Sequence, residues 1–176
     1  MFKYACHKAK IDINKIKIID AGNGNEMDAA FREGVGQYIH QQGPAPQQLA
    51  ADGVGHVVAE LGPTIGACGF SSLAATPAWL ATDTAKAFTR AYIKTRNYMN
   101  DASASEIAKA EKPLFPNIDL EVLTDCIATY QAMGCWTRHI DITQDGYDAM
   151  LNIFEYDGKL PQRYSYDQVC TLPPTV

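Results

Sequence analysis

The fold is decided by residues 15–46, which read KIKIIDAGNGNEMDAAFREGVGQYIHQQGPAP. The first six residues contain three isoleucines, and such β-branched content is typical of a buried strand. A polar glycine loop, a short helix, a second strand and a second polar loop follow, so both loops are expected at the same edge of a parallel sheet. Because ligands of open α/β sheets bind at that edge, the stretch predicts a binding site rather than a reactive centre.

The remainder of residues 1–76 continues the same pattern. Apolar and β-branched runs predict strands at residues 15–20, 37–41, 54–60 and 66–72. Caps and helix-ending glycines predict short helices from Asn25 to Gly34 and from Gln47 to Asp52. The resulting order, β-α-β-α-β-β, is typical of an α/β layer domain.

From residue 77 onward the pattern becomes helical. Four consecutive helices are predicted, and their N-caps are Thr82, Ser103, Asp119 and Thr143. The first helix carries an apolar stripe at spacings of three and four residues, formed by Ala85, Phe88, Tyr92, Thr95 and Met99. Four helices with apolar faces need a large apolar surface to pack against. The helices either pack on one another or pack on a sheet supplied by residues outside this chain.

Composition excludes several classes of partner. The chain has 176 residues, of which 47% are hydrophobic and 20% charged, as in ordinary globular proteins. The formal net charge of −5 and the scattered basic residues argue against nucleic acid as a partner. No apolar run predicts membrane insertion, and no signal peptide is recognisable, so the chain is expected in the cytoplasm if it is expressed as written. The five cysteines lack CxxC spacing and are expected to be free, mostly buried thiols.

Three segments resemble a known family. They are EMDAAFREGVGQYIHQQGPAPQQLAADGVG, PAWLATDTAKAFTRAYIKTRNYMND, and ASEIAKAEKPLFPNIDLEVLTDCIATYQAMGCW together with ITQDGYDAMLNIFEYDGKL. In the order of their elements and in their residue pattern, they resemble the second lobe and C-terminal helices of periplasmic substrate-binding proteins of ABC importers. The class is the one that handles nitrate, taurine and thiamine precursors.

This resemblance implies an architecture. Residues 1–76 would form the α/β segment of a type II periplasmic-binding-protein lobe, a βαβαβ layer. Residues 77–176 would form a helical segment that packs on an absent first lobe. The resemblance also implies a periplasmic location and an ABC permease as partner. It further implies that a signal peptide and a first-lobe segment are missing from the chain as written.

Eight residues in three loops are the candidate ligand contacts: Asn23 and Asn25, then Tyr38, His40, Gln41 and Gln42, and finally Phe70 and Ser71. Amides, an imidazole and hydroxyls offer both donors and acceptors to a small polar ligand. Each loop also has a simpler interpretation. The first is a strand-to-helix turn, the second a solvated strand end, and the third a hinge whose serines bond to the backbone.

The sequence therefore favours a protein that binds a small polar ligand, such as a thiamine precursor, a pyrimidine, a sulfonate or nitrate. We expect no catalytic residue, no metal site and no cofactor. Two alternatives stay open. One is a module that forms a homodimer through exposed helix faces. The other is an enzyme similar to thiamine-pyrimidine synthases, for which His40 is the residue of interest although their cysteine-rich motif is absent.

Overall fold

The computed structural model describes all residues from 1 to 176, and they form helices joined by extended segments. The ten α-helices are α1 (Phe2–Lys8), α2 (Gly24–Arg32), α3 (Ala45–Ala51), α4 (Gly62–Ile65), α5 (Pro77–Leu80), α6 (Asp83–Asp101), α7 (Ala104–Glu111), α8 (Leu120–Ala132), α9 (Gln144–Tyr156) and α10 (Tyr166–Val169). Two 3₁₀ turns lie at Ile13–Lys15 and Lys112–Leu114. None of the helices combines the length and the apolar character that crossing a membrane requires.

The predicted α/β fold is wrong. The chain contains no β-strand, and hence no βαβαβ layer of the type II periplasmic-binding-protein kind. The four predicted strands, residues 15–20, 37–41, 54–60 and 66–72, lie outside regular secondary structure apart from Lys15, which ends a 3₁₀ turn. A strand is defined by hydrogen bonds to a neighbouring strand, and none of these segments finds such a partner within the chain. β-branched composition reports a preference for pairing, but it cannot supply the second strand.

The helix predictions beyond residue 77 are confirmed. The side chains of Thr82, Ser103 and Thr143 accept hydrogen bonds at the first turns of α6, α7 and α9. Ser103 forms a complete capping box with Glu106. Asp119 occupies the N-cap of α8 as predicted, but its side chain makes no cap hydrogen bond.

The better packed of the two hydrophobic clusters joins α7 and α8. Its fully buried members are Ile107, Ala108, Leu123 and Ile127. Two hydrogen bonds from Gln131 Nε2 attach α8 to the end of α6, at the carbonyls of Met99 (2.9 Å) and Ala102 (3.0 Å). This arrangement satisfies the last carbonyl groups of α6, which have no partner inside the helix.

A smaller cluster brings the N-terminus to α9. Ala5 of α1, Ile65 of α4 and Ile153 of α9 are buried against one another. Lys8 Nζ donates a hydrogen bond to the carbonyl of Ile65 at 2.8 Å. The cluster therefore connects residues on both sides of the predicted division at residue 76, and that division stays a prediction.

All five cysteines are free. Cys6 and Cys126 are buried, Cys68 and Cys170 are half-buried, and Cys135 is exposed. The expectation of free thiols is confirmed, whereas the expectation that most are buried holds for only two of the five.

Candidate functional site

The first predicted loop caps helix α2. Asn23 Oδ1 accepts hydrogen bonds from the backbone N–H groups of Asn25 (3.0 Å) and Glu26 (3.2 Å), and the Glu26 carboxylate accepts one from the N–H of Asn23 at 2.7 Å. The sequence allows this because Asn and Glu stand three residues apart, which is the capping-box spacing. The side-chain oxygen of Asn23 is thus committed to the helix. The Asn25 side chain is exposed and makes no hydrogen bond within the chain.

The second predicted loop contacts the first through one residue. Gln41 Nε2 donates a hydrogen bond to the carbonyl of Gly24 at 2.6 Å, which fixes the loop beside the start of α2. Tyr38 and Gln42 are exposed and make no side-chain hydrogen bond. The structure therefore brings Gln41 together with Asn23 and Asn25, as predicted for two loops that share an edge, although no sheet forms that edge.

His40 packs beside the N-terminus. Its ring lies 6.1 Å from that of Phe2, measured between centroids. Partial desolvation lowers the pKa of His40, and the positive charge of the N-terminal amine lowers it further. The imidazole is accordingly neutral at pH 7 and offers one donor and one acceptor.

The third predicted loop is attached elsewhere. The backbone N–H of Gly69 donates to the carbonyl of Gly146 in the first turn of α9, at 2.8 Å. Phe70 and Ser71 are exposed, and no hydrogen bond joins them to Gln41 or to the cap of α2. The candidate contacts thus form one pair of adjoining loops and one separate segment.

Helix α8 holds the second loop at its end. The N–H of Gly43 donates to Tyr130 Oη at 3.1 Å, and a Cβ at position 43 would lie 2.7 Å from both Cys126 Sγ and Tyr130 Oη. A side chain at this position would force Cys126 or Tyr130 to shift. Burial, together with the nearby charge of Glu111, raises the pKa of Cys126 to about 11, so the thiol stays protonated.

A cleft missed by the sequence analysis lies between α3 and α8. Its volume is about 400 Å³. It is lined by Gln47, Ala50, Ala51, Val57, Asp119, Glu121, Val122 and Asp125, and we call it the α3–α8 cleft. Because α3 begins directly after the loop that Gly43 fixes to α8, one helix positions both the second predicted loop and this cleft.

Most polar groups of the α3–α8 cleft are hydrogen-bond acceptors, and the Gln47 amide offers both a donor and an acceptor. Gln47 Oε1 is buried and has no hydrogen-bond partner in the chain. Three carboxylates, from Asp119, Glu121 and Asp125, line the cleft beside apolar Val57 and Val122. Such a lining suits a ligand that carries N–H groups or positive charge, and it disfavours anions. In the sequence Asp119 and Glu121 follow the ordinary preference for carboxylates near a helix N-terminus, and Asp125 is an ordinary exposed helix residue, so the three gave no separate signal.

The chain has no group of three or more His, Cys, Asp or Glu side chains arranged to hold a metal ion.

Comparison with known proteins gives one informative similarity. The chain is 28% identical over 173 residues to a Bacillus subtilis (strain 168) protein described as "Putative binding protein YtlA". The match covers 95% of the chain and 51% of that relative, so the chain spans about half the length of the protein it matches. No protein-family model matches the chain, and no solved structure matches it significantly. The similarity supports a relationship to a binding protein.

Proposed function

We propose that the chain is the solute-binding part of an importer and that it binds a small polar ligand without turning it over. The observation that carries this proposal is the similarity to a protein described as a binding protein, which extends over 95% of the chain. The resemblance of residues 26–55 and 77–160 to substrate-binding proteins of ABC importers supports the same role. A periplasmic location and a membrane permease as partner belong to the proposal.

Within this proposal, the α3–α8 cleft favours one ligand class. Nitrate and sulfonates would meet three carboxylates and an unpartnered carbonyl oxygen, all of which repel anions. An aminopyrimidine of the thiamine-precursor class presents N–H donors to those acceptors and a flat apolar face to Val57 and Val122. Among the ligands that the resemblance implies, the aminopyrimidine is therefore the best match.

The importer role requires the bound form to differ from the free form in what the permease recognises. A ligand achieves this when it binds one conformation more tightly than another and shifts the population toward it. The extended connection between α3 and α4 contains Val57 of the cleft, so a ligand in the cleft would contact a segment that has few internal hydrogen bonds.

Thermal unfolding tests the proposal. 4-Aminopyrimidine, methanesulfonate and nitrate are each added to the chain at increasing concentration. A ligand at a hundred times its Kd stabilises the folded state by about 2.7 kcal/mol. We expect a concentration-dependent rise in Tm with 4-aminopyrimidine, which is recovered unchanged, and no rise with the two anionic probes. A rise with nitrate or methanesulfonate alone would contradict the ligand class, and no rise with any probe would contradict binding at this cleft.

Matched variants locate the site. Asp125→Asn removes a carboxylate of the α3–α8 cleft and should weaken the effect of 4-aminopyrimidine, whereas Asp145→Asn removes an exposed carboxylate of α9 and should not. Gln41→Ala tests the predicted loops instead, because Gln41 joins them. If Gln41→Ala abolishes the response and Asp125→Asn does not, the ligand binds at the predicted loops and not in the cleft.

A further inference from the structure

Residues 42–54, which contain α3, form a unit that is independent of the rest of the backbone. Every backbone–backbone hydrogen bond of this segment joins two of its own residues. The flanking residues 36–41 and 55–60 take part in no backbone–backbone hydrogen bond at all. The segment can therefore separate from its neighbours without breaking any of its own backbone hydrogen bonds.

Few side-chain contacts hold this segment in place. Leu49 is the only buried residue of α3. At the end of α3, Asp52 pairs with Arg32 of α2 at 2.8 Å, but each side chain is 36% exposed, so the pair contributes little. At the start of the segment, the N–H of Gly43 donates to Tyr130 Oη of α8 at 3.1 Å. Local opening costs least where buried contacts are this few.

The contact between Gly43 and Tyr130 covers a thiol. Cys126 Sγ and Tyr130 Oη each lie 2.7 Å from the position of a Cβ on Gly43, so the segment packs directly against both side chains. Cys126 is 3% exposed, and burial raises the pKa of its thiol, so the thiol is unreactive while the segment is closed. Reaction at Cys126 therefore reports opening of the segment.

One wall of the α3–α8 cleft belongs to the same segment. The opposite wall lies on α8, where Val122 of the cleft, Cys126 and Tyr130 are four residues apart and share one helix face. The cleft and the covered thiol are thus two parts of one contact between α3 and α8. A ligand that touches both walls binds the closed form and stabilises it. Three residues of the moving wall line the cleft: Gln47, Ala50 and Ala51.

We propose that residues 42–54 are a flap on α8, that Tyr130 holds the flap closed through Gly43, and that opening of the flap admits and releases the ligand of the α3–α8 cleft. Tyr130 is a positioning residue, because it acts on the cleft through the flap and does not line the cleft. The role in ligand exchange rests on the proposed function, whereas the flap and its attachment to Tyr130 do not.

Pulsed alkylation with iodoacetamide, followed by mass spectrometry of the peptides, measures how often Cys126 is uncovered. Tyr130→Phe removes one oxygen atom and the hydrogen bond to Gly43, so Cys126 should react about fivefold faster, the factor for one net hydrogen bond. The matched control is Tyr147→Phe. It removes another hydrogen bond between a tyrosine hydroxyl and the backbone, at the carbonyl of Tyr164, and should leave the rate at Cys126 unchanged.

Urea denaturation verifies that both tyrosine variants fold and lose similar stability. Equal acceleration at Cys126 in both variants would mean that the thiol is uncovered only when the whole chain unfolds, and this result overturns the flap. An unchanged rate in Tyr130→Phe overturns the role of Tyr130. Gly43→Ala crowds the same contact from the other side and should accelerate the reaction as well.

A ligand arm tests the control of ligand exchange. At a hundred times its Kd, 4-aminopyrimidine should slow alkylation of Cys126 about a hundredfold, because the open flap leaves the cleft with one wall. Alkylation of the exposed Cys135 controls for effects on the reagent and should not change. A rise in Tm without slower reaction at Cys126 overturns the role in ligand exchange. If Tm does not rise, the proposed ligand is wrong, and the tyrosine pair still decides whether the flap exists.

Discussion

The α7–α8 pair and the extended segments between α1 and α5 both contain large apolar side chains, but only the α7–α8 pair buries them within the chain. In the α7–α8 pair, Ile107 is 1% exposed and packs with Leu123 and Ile127. In the extended segments, Ile18 is 52% exposed and Val58 is 73% exposed. A helix satisfies its own backbone and needs only one apolar neighbour, which α7 finds a few residues further along the chain. An extended segment needs a hydrogen-bonding partner for its backbone as well as apolar neighbours for its side chains. Without such a partner its backbone groups stay unpaired and its side chains stay exposed.

The strongest test of this difference compares one isoleucine from each region. Ile107→Ala should lower the free energy of unfolding by about 2–5 kcal/mol, because it leaves a cavity in the α7–α8 cluster. Ile18→Ala, in an extended segment, should change it by less than about 0.5 kcal/mol. Urea denaturation followed by circular dichroism measures both values. Similar losses for the two variants would mean that the extended segments are already packed in the isolated chain.

The next effect concerns the place where the two regions meet. Gly43→Ala puts a methyl group 2.7 Å from Cys126 Sγ and Tyr130 Oη, and such overpacking costs about 1–3 kcal/mol of stability. Gly24→Ala is the control, because its nearest neighbour, Gln41 Oε1, lies at an ordinary 3.5 Å. If both variants unfold at the same urea concentration, the loop is not held against α8.

A smaller effect separates the two roles considered for the first loop. Asn23→Ala removes the acceptor that caps α2 and should cost about 1 kcal/mol, whereas Asn25→Ala removes a side chain without a hydrogen bond and should cost little. Thermal unfolding measures the difference. A loss of ligand response in Asn25→Ala without loss of stability would assign Asn25 to binding, while an unchanged Tm in Asn23→Ala would contradict the cap.

The smallest effect is a pH dependence near the N-terminus. The pKa of His40 is lowered in the folded chain, so as pH falls below about 6.5 the unfolded state takes up this proton first and stability decreases. His40→Gln removes that contribution, and the decrease in Tm between pH 7.5 and 5.5 should be shallower than in the unmodified chain. An identical or steeper decrease in the variant would show that His40 does not lose stability by protonation.

Prediction from the sequence succeeded where the signal was local. The caps Thr82, Ser103 and Thr143 were placed correctly because a side chain and a backbone N–H two or three residues away decide the start of a helix. It failed at residues 54–60, where β-branched content indicated a strand and the chain supplies no partner for one.

The candidate site was predictable only in part. Gln41 does meet the start of α2, as the two-loop interpretation required. The α3–α8 cleft was not foreseen, because Gln47 and Asp119 are 72 residues apart and each looks ordinary in its own helix. Contacts between side chains that distant depend on how the helices pack, and no spacing rule within one helix reports them.

The sequence by itself determined the positions of the longer helices, the caps Thr82, Ser103 and Thr143, the free thiols and the acidic character of the chain. Only the tertiary structure decided that the β-branched segments stay unpaired, that α8 fixes Gly43, and that an acceptor-lined cleft opens beside α3. The physical reason is the sequence separation of the interacting residues. Helix hydrogen bonds connect residues four apart, so local sequence can predict them. Sheets, clefts and buried surfaces join residues that are far apart in the sequence, and the local sequence does not identify those partners.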